Sequence, residues 1–308
     1  MNNKSTLLSI CNITILFIMI LFISCSYIDD SLKTEKEYAT ISDYKYFGEF
    51  HNILLDNVKN NFPDSKILTN YIKTKEDGID YVVKFNQEFI ARTNIPSQFK
   101  KDELIKSFSY FRNLLNYEVI SQSVSNISNF RRKNQTKEYK ISSNDTTLSI
   151  QDIKMCRSHL EQIYHKNYIT KDAYSILDEL YDLIYRNYQG IISDQVFELK
   201  IDNLIAKVDK SHYKIGDKTI EIVGPVLSIS QYSLDWWTDN PDAMVTNGKL
   251  APWVAMDIIG AIDGIVCYAL CTSDTDCNWK DAGKNALIGG GVASIGGTSK
   301  IFNLLRKL

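Results

Sequence analysis

The sequence has no surplus of charge of either sign: 35 lysines and arginines stand against 37 aspartates and glutamates in 308 residues. That balance excludes the broad basic surface on which nucleic-acid binding depends, and a strong acidic field as well. Proline is scarce, at 5 residues, so few helices need be interrupted; glycine, at 14, is concentrated, with more than half lying from Gly260 onward. The four histidines, His51, His159, His165 and His212, all lie far upstream of the cysteines that cluster between Cys267 and Cys277. No GxSxG, HExxH, GxGxxG or phosphate-cradling loop occurs. The chain is therefore read as a non-enzymatic protein with no cofactor and no metal, and with ample apolar content for a core.

What is present begins at the N-terminus. Lys4 supplies a short basic start, and Leu7 to Ile23 is almost wholly apolar, broken by Ser, Thr, Cys11 and Asn12. The run is short for a spanning helix and is followed at once by the small-residue site Phe22-Ile23-Ser24-Cys25. That site resembles the lipobox of bacterial lipoproteins, with Phe22 where Leu is usual. The resemblance implies a signal peptide over 1–24, cleavage before Cys25, and acyl chains on the Cys25 thiol and the new amino group. Each buried methylene of those chains contributes about 0.8 kcal/mol, so three chains hold firmly where one does not. An ordinary signal peptide with an incidental cysteine, or an uncleaved anchor, is the alternative. Residues 25–41, rich in Asp, Lys, Glu and Ser, read as a tether. Asp29-Asp30 weakly resembles a surface-export signal, so the expected location is the cell envelope, lipid-anchored, on the periplasmic or surface face of the outer membrane.

From 42 to 212 the apolar period is helical. One helix starts at a Ser42 or Asp43 cap and carries Tyr46, Phe47, Phe50, Ile53, Leu54 and Val58; a second runs over about 76–92 and a third from Ser97 through Ile120. Residues 131–147 have no apolar period and read as a loop. Ser149 with Asp152 has capping-box spacing, and the helix it opens places Ile153, Cys156, Leu160 and Ile163 on one side. Thr170 and Ser193 cap two more helices, and three such helices joined by short turns predict an antiparallel bundle.

Few groups there could carry chemistry. Cys156 and His159, three apart on one helix, could form a thiol–imidazole pair, whereas a buried structural Cys and an exposed His is the plainer expectation. Tyr174, Tyr181, Tyr185 and Tyr188 form a helical stripe that could stack on sugar rings but reads first as a face packed in the core. Glu161, Asp178, Glu179 and Asp182 read as a solvated face.

The character changes after 213. Lys218-Thr-Ile-Glu-Ile-Val223 alternates and is closed by Gly224-Pro225, which predicts a short hairpin or extended connector across 213–249, ending in a Trp-rich turn with Trp236 and Trp237. These tryptophans, with Trp253, are either an interfacial belt or anchors that pack the following module on the bundle.

Residues 250–308 read as a helical hairpin rich in small residues. Pro252 fits the first position of a helix that contains Gly260-Ala-Ile-Asp-Gly264, a GxxxG step that lets backbones approach. In the second segment Ala282, Ala286, Gly290, Ser294 and Thr298 fall four apart, with Gly289, Ala293 and Gly297 beside them. A Cys271–Cys277 disulfide is expected to close the intervening loop in preference to a metal site, which would want a nearby His. Asp257 and Asp263 would each cost roughly 2.5–3.5 kcal/mol at a bilayer centre, which favours a compact hairpin over a spanning one. The segment resembles the glycine-zipper tails of bacterial lipoproteins and the GxxxG helices of two-peptide bacteriocins, which implies helix association as its task.

The expected fold is therefore mainly α: an antiparallel helical bundle, a small extended or hairpin element, and a C-terminal small-residue helical hairpin. The expected partners are the membrane, through lipid on Cys25, and a protein or second copy met through the C-terminal hairpin. Two functions stay open: a non-enzymatic binding or assembly lipoprotein, and a membrane-active, toxin- or pore-like factor acting through residues 250–308.

Overall fold

A computed structural model describes residues 37–61, 78–115, 150–240, 251–271 and 279–293. Their regular structure is helical, as expected, in nine α-helices: α1 Lys45–Asn61, α2 Gly78–Arg92, α3 Lys101–Leu115, α4 Ile150–His165, α5 Lys171–Tyr188, α6 Asp194–Asp209, α7 Lys218–Asp239, α8 Ala251–Cys271 and α9 Trp279–Val292. The one β-type pairing among these residues is an isolated antiparallel bridge between Tyr38 and Lys214. Among them no helix is long and apolar enough to cross a membrane.

Local signals place most of the helix starts. A 3-10 turn, Ile41–Tyr44, leads into α1, and the Asp43 carboxylate accepts the Thr40 backbone N–H at 2.7 Å, so the cap lies slightly ahead of the Ser42 or Asp43 expected. Thr170 accepts from Ala173 N–H at 3.1 Å at the head of α5, and Ser193 from Val196 N–H at 3.3 Å at the head of α6. Helices α4, α5 and α6 pack in sequence, antiparallel, tied by a bidentate Arg157–Asp178 pair (2.5 and 2.7 Å) and by Lys207–Glu179 at 2.9 Å. Helices α2 and α3 form a second antiparallel pair. Their connection drives Phe99 between Tyr46, Phe47 and Phe50 of α1, with ring centroids 5.1 to 5.4 Å apart. Glu103 of α3 reaches Lys284 of α9 at 2.7 Å, and Lys284, with Lys100, holds that carboxyl down to about 2.

The expected hairpin at 218–229 is absent: Lys218–Asp239 is a single helix of 22 residues. Asp217 accepts the Thr219 N–H at 2.7 Å, and Gly216, at φ +83°, turns the chain just ahead of it. Ile220 and the run from Ile222 to Ser230 are buried on every side of α7, so no amphipathic period marks it and a short stretch mimics strand alternation. Gly224-Pro225, read as a turn, is a packing feature: a Cβ at Gly224 would lie 2.6 Å from the Tyr44 ring.

The C-terminal pair is likewise not an appendage. From Tyr38 onward the chain forms one compact unit, undivided at 213 or 250, with α8 and α9 at its centre and their mutual contact the most extensive in the fold. Helix α7 packs on α1, α8 and α9; α4 and α5 cover α8 on one side, and α2 and α3 touch α9. Residues 38–41, expected to be tether, are docked: Ala39 N–H donates to Tyr213 O at 2.8 Å and Ile41 N–H to Asp209 Oδ1 at 2.7 Å.

Candidate functional site: a central helix with two buried carboxylates

Helix α8 brings Asp257 and Asp263 into the core, each fully buried. They are six residues apart, about 240° around the helix, so they face different neighbours. Asp257 Oδ2 accepts from Ser233 Oγ at 2.6 Å and from Trp237 Nε1 at 2.8 Å, two donors one turn apart on α7. His51 Nε2 of α1 lies 3.7 Å from the same oxygen, and His51 too is fully buried. Asp263 accepts from Cys156 Sγ of α4 at 3.2 Å through Oδ2 and from Tyr181 OH of α5 at 3.0 Å through Oδ1. Helices α7, α4 and α5 supply these donors, as burial of a carboxylate demands.

Burial pushes the Asp263 carboxyl up to about 7, against the downward pull of the Cys156 and Tyr181 hydrogen bonds. Burial, then the neighbouring Asp263, raises the Tyr181 phenol well above its usual range. Neither group is accessible, and the Cys156 thiol donates its hydrogen bond to the Asp263 carboxylate. The cluster is therefore a joint between helices, and its chemistry is that of a proton held in the core.

The small residues of α8 and α9 meet backbone to backbone. A Cβ at Gly264 would overlap the Asn285 carbonyl, one at Gly289 would overlap the Gly260 carbonyl, and one at Gly260 would lie 2.5 Å from Ala293 Cβ. The contact runs antiparallel, 260 to 264 against 293 to 285. The row on α9 that touches α8 most closely is thus Asn285–Gly289–Ala293, one residue before the Ala286–Gly290–Ser294 row expected from spacing. Ala286 is buried at the edge of that contact, with its nitrogen 3.1 Å from a Cβ built on Gly264. Gly290 sits where a Cβ would be 3.2 Å from the Asp257 carbonyl, 3.5 Å from His51 Cδ2 and 3.6 Å from Ile229, so it makes room for the Asp257 cluster.

Other expected residues fall as follows. Cys25, Cys277 and Ser294 lie outside the described residues, as does the side chain of Cys271, so the Cys271–Cys277 bridge does too. Cys156 and Cys267 are buried thiols. His159 is fully buried, not exposed as expected, because it faces the core on the same side of α4 as Cys156. In the tyrosine stripe Tyr181 is buried and Tyr174, Tyr185 and Tyr188 pack half-buried on the core, while Trp236 and Trp237 are buried anchors bonded to Asp56 and Asp257 at 2.8 Å each. Asp178, Glu179, Asp182 and Glu161 pair with Arg157, Lys207, Arg186 and His165. Among the described residues no group of His, Cys, Asp and Glu is arranged to hold a metal ion. Sequence reasoning missed His51, Ser233, Trp237, Cys156 and Tyr181 as partners of the two acids, because they come from four helices distant along the chain. No family model, curated protein or solved structure matches the chain.

Two tests follow from this geometry. Gly289→Ala forces the α8 and α9 backbones apart and should lower the thermal midpoint, at a cost of about 1–3 kcal/mol. Gly290→Ala, whose neighbours need give only a few tenths of an ångström, should stay within about 1 kcal/mol of the parent. A melt in which Gly289→Ala matches or exceeds the parent would mean that the close approach is not there.

Asp263 gives a pH signature. Its proton is held more tightly folded than unfolded, so its contribution is full below about pH 4 and is lost as pH rises through about 7. Asp263→Asn keeps a neutral group at every pH. Its stability relative to the parent should therefore rise between pH 4 and 8, by at most about 4 kcal/mol. A parent-minus-variant difference in chemical denaturation that stays flat over that range would contradict a raised Asp263.

Proposed function

We propose that this chain is an exported lipoprotein, held on a membrane of the cell envelope by acyl chains on Cys25, whose helical body is a non-enzymatic binding or assembly module. The observation that carries the anchor is the sequence Phe22-Ile23-Ser24-Cys25 directly after an apolar run and ahead of a polar tether. Two features of the body support the non-enzymatic reading. The Cys156 thiol is buried and bonded to a carboxylate, and the imidazoles of His51 and His159 are fully buried.

The same packing favours binding or assembly over the membrane-active alternative. Gly260, Gly264 and Gly289 are buried in an internal helix contact, so a partner or second copy would have to meet some other surface. Drawing α8 into a bilayer would also strip Asp257 and Asp263 of four donors from three helices.

Cys25→Ala tests the anchor. In cells fed a palmitate analogue the parent should label, whereas the variant should not and should accumulate as an unprocessed precursor. Retained labelling of the variant would remove the lipoprotein reading.

A further inference from the structure

We infer that the outer face of α6, with the adjoining strip of α7, is a docking surface for a cationic amphipathic segment of a partner protein, an inference that rests on the binding reading of the body and does not involve the anchor. Helix α6 packs on α5 and α7 along one narrow stripe, Phe197, Ile201, Leu204 and Val208. On the opposite side of the helix Gln195, Leu199, Asp202 and Ala206 are all exposed. Of the five large apolar side chains that the described residues expose, three belong to this face: Ile191 in the turn ahead of α6, 61 % exposed, Val196, 38 %, and Leu199, 58 %. Exposed apolar side chains gathered in one place mark a contact surface.

The charge beside that apolar row says what covers it. Glu198 and Asp202, one turn apart on α6, border Leu199, and Asp235 and Asp239, one turn apart on α7, continue the strip. All four are exposed, and no described cation pairs with any of them. They act on one another: after partial burial, Glu198, Asp202 and Asp239 raise the Asp235 carboxyl, and no described cation pulls it back. The basic groups nearby are placed elsewhere. Lys200 lies about 160° round α6 from both Glu198 and Asp202, and Lys210 about 12 Å beyond Asp202 along the axis. Lys207 is bonded to Glu179 at 2.9 Å, Arg186 pairs with Asp182, and Lys59 donates to Asn240 Oδ1. The remaining acid, Asp194 at the head of α6, accepts from Asn187 Nδ2 at 2.9 Å. A second copy would bring a net acidic face against its like, whereas a segment with lysine or arginine edging an apolar row matches both features at once.

Photo-crosslinking of synthetic peptides to the full chain tests this. The probes each carry one diazirine-bearing leucine: a helical peptide of leucine and lysine with its leucines on one face, the same peptide with glutamate for every lysine, and the same with serine for the other leucines. After irradiation and mapping by mass spectrometry, the leucine–lysine peptide should label residues 194–206 most heavily, and the other two about five-fold less. The double variant Glu198→Gln, Asp202→Asn and the single variant Leu199→Ser should each lower that labelling about five-fold, while Glu161→Gln on α4 should leave it unchanged. Labelling of 194–206 that these α6 variants do not reduce, or that the glutamate or serine peptide matches, would overturn the inference. Leucine- and lysine-dependent labelling concentrated on another surface would overturn this inference alone. Labelling that nowhere on the chain exceeds that by the glutamate peptide would overturn it together with the binding reading.

Discussion

A carboxylate moved out of water loses hydration that only nearby donors can replace, and α8 carries two of them into the core. This requirement organises the packing around α8. Asp257 needs Ser233 and Trp237, which fixes α7 in rotation and in register, and it draws His51 and α1 to the same place. Asp263 needs Cys156 and Tyr181, which fixes α4 and α5 on the other flank. Since the two acids point different ways, α8 ties α7 and α1 on one flank to α4 and α5 on the other.

The second constraint is distance. The α8–α9 pair closes to backbone contact because Gly260, Gly264 and Gly289 lack side chains there, and the other described glycines of the pair serve neighbours: Gly283 admits Phe47 and Pro225, Gly290 His51 and Gly291 Leu54. Glycine inside a helix costs roughly 1 kcal/mol against alanine. The close packing of α9 on α1, α7 and α8 at once offsets that cost. A stretch that resembles an independent glycine-zipper module in sequence is thus the centre of the body.

Elements with one buried face were legible in the sequence. The caps Thr170 and Ser193 and the apolar side of α4 are encoded locally, by a hydroxyl one residue before an amphipathic run. Helix α7 was not legible, because burial on all sides erases the period that distinguishes helix from strand, and Gly224-Pro225 imitates a turn. The glycine contact was legible to within one residue: adjacent rows on a helix both repeat every four positions, and spacing alone does not say which row faces the neighbour. The partners of Asp257 and Asp263 were not legible at all, since His51, Cys156 and Tyr181 come from distant parts of the chain. The anchor at Cys25 rests wholly on its motif.

The claim that α8 is the fixed centre of the body is tested most directly by native-state hydrogen exchange along the chain. Amides from Ile258 to Val266 should exchange only through global unfolding, and so at the slowest rate in the protein, while those of the peripheral α6 exchange through smaller openings. Exchange at Ile258 to Val266 as fast as at residues 194–209 under native conditions would contradict the account.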